Sequence, residues 1–145
     1  VDLFDLPDGD VTQLSFKGKH YDFIWASPPC TEYAKFCQPW YNREPLEADL
    51  GIWEHCLRLI DESRTPFYCI ENSRGACQIW GTPAGVSGPF NFWGNLPEWP
   101  GPGAFWKFHN KMSSAKRAWL SAKIPFTISM KFCKIVEKWI YQRTL

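Results

Sequence analysis

Tyr21-Asp22-Phe23-Ile24-Trp25-Ala26-Ser27-Pro28-Pro29-Cys30 and, further on, Phe67-Tyr68-Cys69-Ile70-Glu71-Asn72 decide how this chain folds. Each is a short apolar run of strand length, rich in aromatic and β-branched side chains. Gly18 and Pro28-Pro29 bound the first run, and the second stops at Glu71-Asn72. Between them lies a helical pattern from Pro45 to Glu62. Leu46, Leu50, Trp53, Leu57 and Ile60 recur at spacings of 4, 3, 4 and 3, which is one helical face. Pro45 suits the first helical position, and Pro66 requires the helix to stop near Ser63. Strand, helix, strand is a βαβ unit, whose strands pair in parallel. Ligands of open α/β sheets gather at the carboxyl ends of strands. Cys30 and Glu71 are therefore expected on one edge of one sheet.

Outward from this unit, residues 31–37 are expected to begin a helix after the prolines. Residues 73–88 carry Gly75, Gly81, Pro83, Gly85 and Gly88 and read as a loop. Phe90-Asn91-Phe92-Trp93 reads as another strand. Residues 94–104 hold three glycines and three prolines, the most turn-rich stretch of the chain. Residues 113–123 and 126–142 read as two helices separated by Pro125. Phe126, Ser129, Cys133, Val136 and Ile140 would share one face of the second.

The length of 145 residues fits a single domain. Its expected parts are an acidic α/β portion at 1–93, a turn-rich basic and aromatic segment at 94–123, and a C-terminal helix at 124–145. Leu, Ile, Val and Phe supply 34 residues, enough for a core and against disorder. No apolar run reaches the ~18 residues of a membrane span, and no signal peptide is evident. The chain opens on Val1, which suits either a processed start or a piece of something longer. Of the six cysteines none forms a C-x-x-C pair, and no His stands at ligand spacing beside two of them, so no metal site is expected. Cys56 and Cys69 fall inside apolar runs, as reduced core thiols do, and a cytoplasmic setting is expected.

The net charge of +1 hides an asymmetry. Residues 1–104 hold 7 Lys/Arg against 14 Asp/Glu, whereas residues 105–145 hold 9 Lys/Arg against Glu137 alone. A basic C-terminal third on an acidic body suggests a polyanion partner, or else a solvated helix face.

Chemistry concentrates at the two strand ends. Two prolines hold Cys30 rigidly, just before a helix start that favours its thiolate. A turn with a buried Cys would look the same. Glu71-Asn72 lies 41 residues on, at the next strand end. Pro29-Cys30 followed by Glu71-Asn72 resembles the DNA cytosine-5 methyltransferases, in particular their short phage-encoded branch. The string from Asp22 to Cys30 adds to the likeness. So do Gly88-Pro89-Phe90 with Trp93-Gly94, and Ala122-Lys123-Ile124-Pro125-Phe126 with Ser129.

That resemblance implies a Rossmann-like, S-adenosylmethionine-dependent fold, incomplete at its N-terminus, in the cytoplasm of a bacterium or of a phage-infected host. It implies that Cys30 adds to carbon 6 of cytosine in DNA, while Glu71 binds ring nitrogen 3 and the exocyclic amine. Pro29 and Asn72 would order the site. For the cofactor it implies Asp2 on the ribose hydroxyls, Asp10 and Val11 on the adenine, and Pro28 beside them. Asp2 and Asp10 read equally well as turn carboxylates.

The chain departs from the family in three respects. The first strand with its Gly-rich turn is absent, so a missing N-terminal segment or a partner chain would complete the cofactor site. The Gln-x-Arg-x-Arg element is absent, and Arg74 is the only basic residue between Glu71 and Gly94. No large target-recognition domain is present. In its place residues 94–123 interleave Lys107, Lys111, Lys116 and Arg117 with aromatics, a pattern suited to phosphate contact and base stacking. Two alternatives remain open. One is a catalytically incomplete DNA-binding or partner subunit. The other is an amino-methyltransferase, which would carry Tyr where Cys30 stands.

Overall fold

In the computed structural model the described residues are 11–36, 50–99 and 126–143. They form a mixed four-stranded sheet with helices on both faces. β1 (Phe23–Ala26) and β2 (Phe67–Asn72) are parallel, with Phe23 opposite Phe67 and Ala26 opposite Ile70. α1 (Thr31–Lys35) and α2 (Gly51–Ser63) lie between them in sequence, so the βαβ expectation holds. β3 (Gly85–Ser87) and β4 (Phe90–Gly94) form a hairpin, and β4 pairs antiparallel with β2. Gly88 closes that hairpin at φ 60°, a left-handed conformation that glycine adopts without steric cost. The strand order is β1-β2-β4-β3, leaving β1 at one edge.

Alternation along the strands divides the core between two faces. Phe23, Trp25, Phe67, Cys69 and Phe92 pack on α4 (Phe126–Arg143) through Ile128, Phe132 and Val136. Ile24, Ala26, Tyr68 and Ile70 pack on α2 through Cys56 and Ile60. Phe132 meets Trp25 edge-on at 4.9 Å and Phe92 at 5.0 Å, geometries that suit aromatic quadrupoles.

Three sequence readings need correction. Residues 73–88 are not a plain loop. They hold a 3-10 turn at Arg74–Ala76, the short α3 (Cys77–Trp80) and β3. Trp80 stacks on Trp53 at 3.7 Å and meets Tyr33 and Trp93, so tertiary packing overrides the turn-forming composition. The inner face of α2 is Cys56, Leu59, Ile60 and Ser63, while Leu57 is exposed. Small Cys56 and Ser63 let the helix lie close to the sheet, which outweighs the larger Leu57. Likewise Cys133 is exposed on α4, because Phe132 takes the inward position beside Trp25 and Phe92. The parts of the expected helices at 45–49 and 113–123 lie outside the described residues.

α2 ends as its sequence requires. Ser63 is buried and its hydroxyl donates to the Ile60 carbonyl at 2.8 Å. Arg64 then turns left-handed at φ 49° and its N–H bonds the Asp61 carbonyl. After β2, Gly75 brings the 3-10 turn hard against α1: a Cβ there would lie 1.6 Å from the Tyr33 carbonyl oxygen. No rotamer relieves a backbone clash of that size. A Gly75→Ala variant is expected to lose about 3 kcal/mol in chemical denaturation, the upper range for overpacking. An unchanged midpoint would mean that α1 does not rest on this turn.

Candidate active site

The carboxyl ends of β1 and β2 are joined by a buried hydrogen bond. Asn72, 1% exposed, donates its side-chain amide to the Pro28 carbonyl at 3.0 Å. Its Oδ1 accepts the Ser73 N–H at 2.8 Å, so both ends of the amide are satisfied. Pro28 is buried while Pro29 and Cys30 are exposed. Cys30 is the N-cap of α1, and its carbonyl accepts the Ala34 N–H at 2.7 Å. The loop bearing the thiol is thus held to the β2 terminus on one side and to α1 on the other.

Glu71 lies on the face of β2 shared with Phe67 and Cys69, and Phe92 is its register partner on β4. Burial pushes its carboxyl up to about 7 from an ordinary value of 4.5. A hydrogen bond with the Ser27 hydroxyl opposes the rise. Ser27 in turn accepts the Trp25 indole N–H at 2.8 Å. Ser27 follows the last paired residue of β1, Ala26, and so comes opposite Glu71. Register alone could have singled it out, but the sequence reading did not. Near neutral pH Glu71 is present both as acid and as carboxylate, which suits a proton donor.

The cysteines differ sharply in setting. Burial raises Cys56 and Cys69, and the nearby Glu71 charge raises Cys69 further. Cys77 is half-buried, while Cys30 and Cys133 are exposed. Cys30 is the exposed cysteine at the strand ends, and Cys133 lies on the outer side of α4. The two described histidines are elsewhere: His20 is exposed, and His55 on α2 accepts from Arg58 at 2.7 Å.

An apolar cavity of about 220 Å³ lies beside β1, walled by Leu14, Phe16, Ile24, Pro28, Ile52 and Leu59. Segment 14–16 is pinned over it. Glu62 of α2 accepts from the Ser15 hydroxyl at 2.8 Å and the Phe16 N–H at 2.9 Å, and Arg58 donates to the Leu14 carbonyl at 2.8 Å. The Phe16 N–H chiefly holds the Glu62 carboxyl below its ordinary range. Pro28 therefore borders a cavity as well as the thiol loop. Val11 begins a 3-10 turn, Val11–Gln13, that leads into this segment. Asp2 and Asp10 lie outside the described residues. The cavity is smaller than the ~300 Å³ at which ligand pockets begin, and its described lining holds no charged side chain. These residues do not by themselves make a site for S-adenosylmethionine, which carries a carboxylate, an amine and a ribose.

Lys107, Lys111, Lys116 and Arg117 also lie outside the described residues. The flanks of their segment are informative. Trp99 and Ile128 both pack in the core cluster that contains Phe92, the register partner of Glu71. Among the described residues no group of three His, Cys, Asp or Glu could hold a metal ion, and no helix is long and apolar enough to cross a membrane.

A raised carboxyl makes stability depend on pH. Below about pH 4.5 Glu71 is protonated folded or unfolded, and nothing is lost. Between about 4.5 and 7 the unfolded chain ionises first, so stability falls as pH rises. The loss amounts to about 3 kcal/mol. Denaturation of wild type against Glu71→Gln is expected to show this decline in wild type alone. Parallel pH profiles would contradict the burial of the acid.

Comparison of the chain with protein-family models, with curated proteins and with solved structures finds no match.

Proposed function

We propose that this chain is a Rossmann-like methyltransferase domain, or part of one, that acts on carbon 5 of cytosine in DNA through a covalent adduct with Cys30. The observation that carries the reading is the placement of an exposed thiol loop and a half-buried acid at the ends of adjacent parallel strands, with the Asn72–Pro28 hydrogen bond tying the two ends. Burial raises the acid near the working pH of a general acid, as the chemistry requires. The parallel β1–β2 pair and its intervening helices support the fold reading.

Carbon 5 of cytosine is a weak nucleophile. In the proposed step the Cys30 thiolate forms a bond to carbon 6. The electron pair of the 5,6 double bond moves into the ring, and ring nitrogen 3 takes the proton of Glu71. The products are a neutral enamine, nucleophilic at carbon 5, and a Glu71 carboxylate. Reversal returns the proton to Glu71 and frees the thiolate. Ser27 and Asn72 orient the acid and the loop and are positioning residues. The target base reaches these groups only outside the duplex stack. Lys107, Lys111, Lys116 and Arg117 are proposed to hold the DNA backbone, in keeping with a segment whose flanks pack beside Phe92. The proposed methyl donor is S-adenosylmethionine. An N-terminal segment or a partner chain would supply what the small cavity beside β1 lacks.

A second reading follows from that cavity: a methylase-like subunit that binds DNA without chemistry. One experiment separates the two and needs no methyl donor. At the enamine stage carbon 5 can take a proton from solvent, and loss of the original hydrogen on reversal exchanges it. Release of tritium from 5-tritiated cytosine in DNA is expected with wild type and with Cys133→Ser, and not with Cys30→Ser. Glu71→Gln should slow it by 10²–10⁴-fold, the usual contribution of a positioned acid, and should abolish the decline in rate through about pH 7. DNA binding without any release would favour the second reading.

A further inference from the structure

A second cavity, of about 580 Å³, lies between the C-terminal end of α1 and the segment that follows β2. Phe36, Arg74, Gln78, Thr82 and Pro83 are among its walls. Its volume falls within the range of ordinary ligand pockets, unlike the cavity beside β1. Its two sides come from the elements that carry the candidate site. Phe36 caps α1, the helix that begins at Cys30. Arg74 opens the 3-10 turn that follows Glu71-Asn72-Ser73.

Arg74 is exposed, and its guanidinium forms no ion pair or hydrogen bond with any described residue. It is the only charged side chain in the described lining. The backbone that carries it is nonetheless firm. Gly75 presses on the Tyr33 carbonyl, Ala76 is fully buried, and the Ala76 N–H bonds the Ser73 carbonyl at 3.1 Å. An unpaired guanidinium on a firmly held turn, in a cavity with an amide, a hydroxyl and an aromatic ring, suits an anion that carries further polar and ring groups. A phosphodiester oxygen matches the arginine fork, while the polar groups and the ring suit the attached nucleotide.

We propose that this cavity receives a nucleotide next to the target cytosine on the same DNA strand, with its phosphate on Arg74. The inference rests on the reading of Cys30 and Glu71 as the site that meets the base. It adds a strand-positioning contact made by the turn after β2, in addition to those proposed for the basic segment at 107–117. The turn that carries Arg74 continues directly from the strand that carries Glu71. A phosphate held there fixes the sugar–phosphate backbone close to the point where the base leaves the stack.

The test uses duplex DNA with one mismatched cytosine, which defines the target without a known recognition sequence and lowers the cost of flipping. Single methylphosphonate replacements remove one backbone charge at a time around that cytosine. Wild type is expected to lose about tenfold in affinity at one phosphate within two nucleotides of the mismatch. Arg74→Ala should bind about tenfold more weakly, lose about one unit of salt slope and show no further loss at that phosphate. Arg74→Lys should regain part of the coupling. A flat profile in wild type overturns the proposal, as does an Arg74→Ala profile parallel to that of wild type. So does equal loss at every phosphate, which would mean a diffuse field. The two readings fail separately. A coupled phosphate without tritium release would leave this contact standing and remove the catalytic one. Tritium release with a flat profile would do the reverse.

Discussion

The Asn72 side-chain amide and the Pro28 carbonyl meet at 3.0 Å, where neither group can turn to water. The loop that carries Cys30 has no β-ladder of its own, because β1 ends at Ala26. Two prolines stiffen it but do not say where it points. The amide does, by tying it to the end of β2, one residue beyond Glu71. A buried amide without its partner costs about 1–3 kcal/mol, so the contact is maintained by what its loss would cost as much as by its own strength. The thiol, the acid and the turn bearing Arg74 all take their relative positions from this bond and from the parallel pairing beneath it.

Burial then sorts groups of the same chemical type. Cys56 and Cys69 are apolar filling between sheet and helices, and their thiols are pushed up and made inert. Cys30, a residue of the same kind, is left at the surface of the strand ends. Glu71 is treated in the opposite sense to an ordinary surface acid. The sheet desolvates it, Ser27 supplies one hydrogen bond, and no described cation pairs with it. The acid thereby keeps a proton near neutral pH, on the strand that pairs with the one leading to Cys30. The aromatic layer of Trp25, Phe92 and Phe132 beneath this edge supplies the low-polarity surroundings.

The sheet edge was legible in the sequence because strand runs and proline punctuation are local signals. The apolar runs at 23–26 and 67–70 are strands, and both end at polar residues, as read. Helix faces were less legible. Two faces of α2 satisfy a 3.6-residue period, and the choice between Leu57 and Cys56 depends on how closely the helix approaches the sheet, which no local pattern encodes. The same holds for Phe132 and Cys133 on α4. The stretch 73–88 looks like a loop from its glycines, yet Gly75 is there to let the turn touch the Tyr33 backbone, and Trp80 to fill the space by Trp53. Ser27 escaped notice because its role exists only across the strand pair. The cavity around Arg74 was illegible for a similar reason: its walls are separated by nearly forty residues and meet only through α1 and the 3-10 turn.

The central claim is that Cys30 and Glu71 form one site that attacks carbon 6 of a cytosine ring. Its most direct test is the attachment point of a trapped adduct. DNA carrying 5-azacytosine presents a carbon 6 made more electrophilic by the ring nitrogen at position 5, and no carbon 5 remains to be methylated. After incubation with a random-sequence pool of such DNA, the intact mass of the chain and its peptide map should show one nucleotide attached, at Cys30, and none in Glu71→Gln at the same exposure time. Attachment at Cys133, at several cysteines alike, or nowhere would contradict the account.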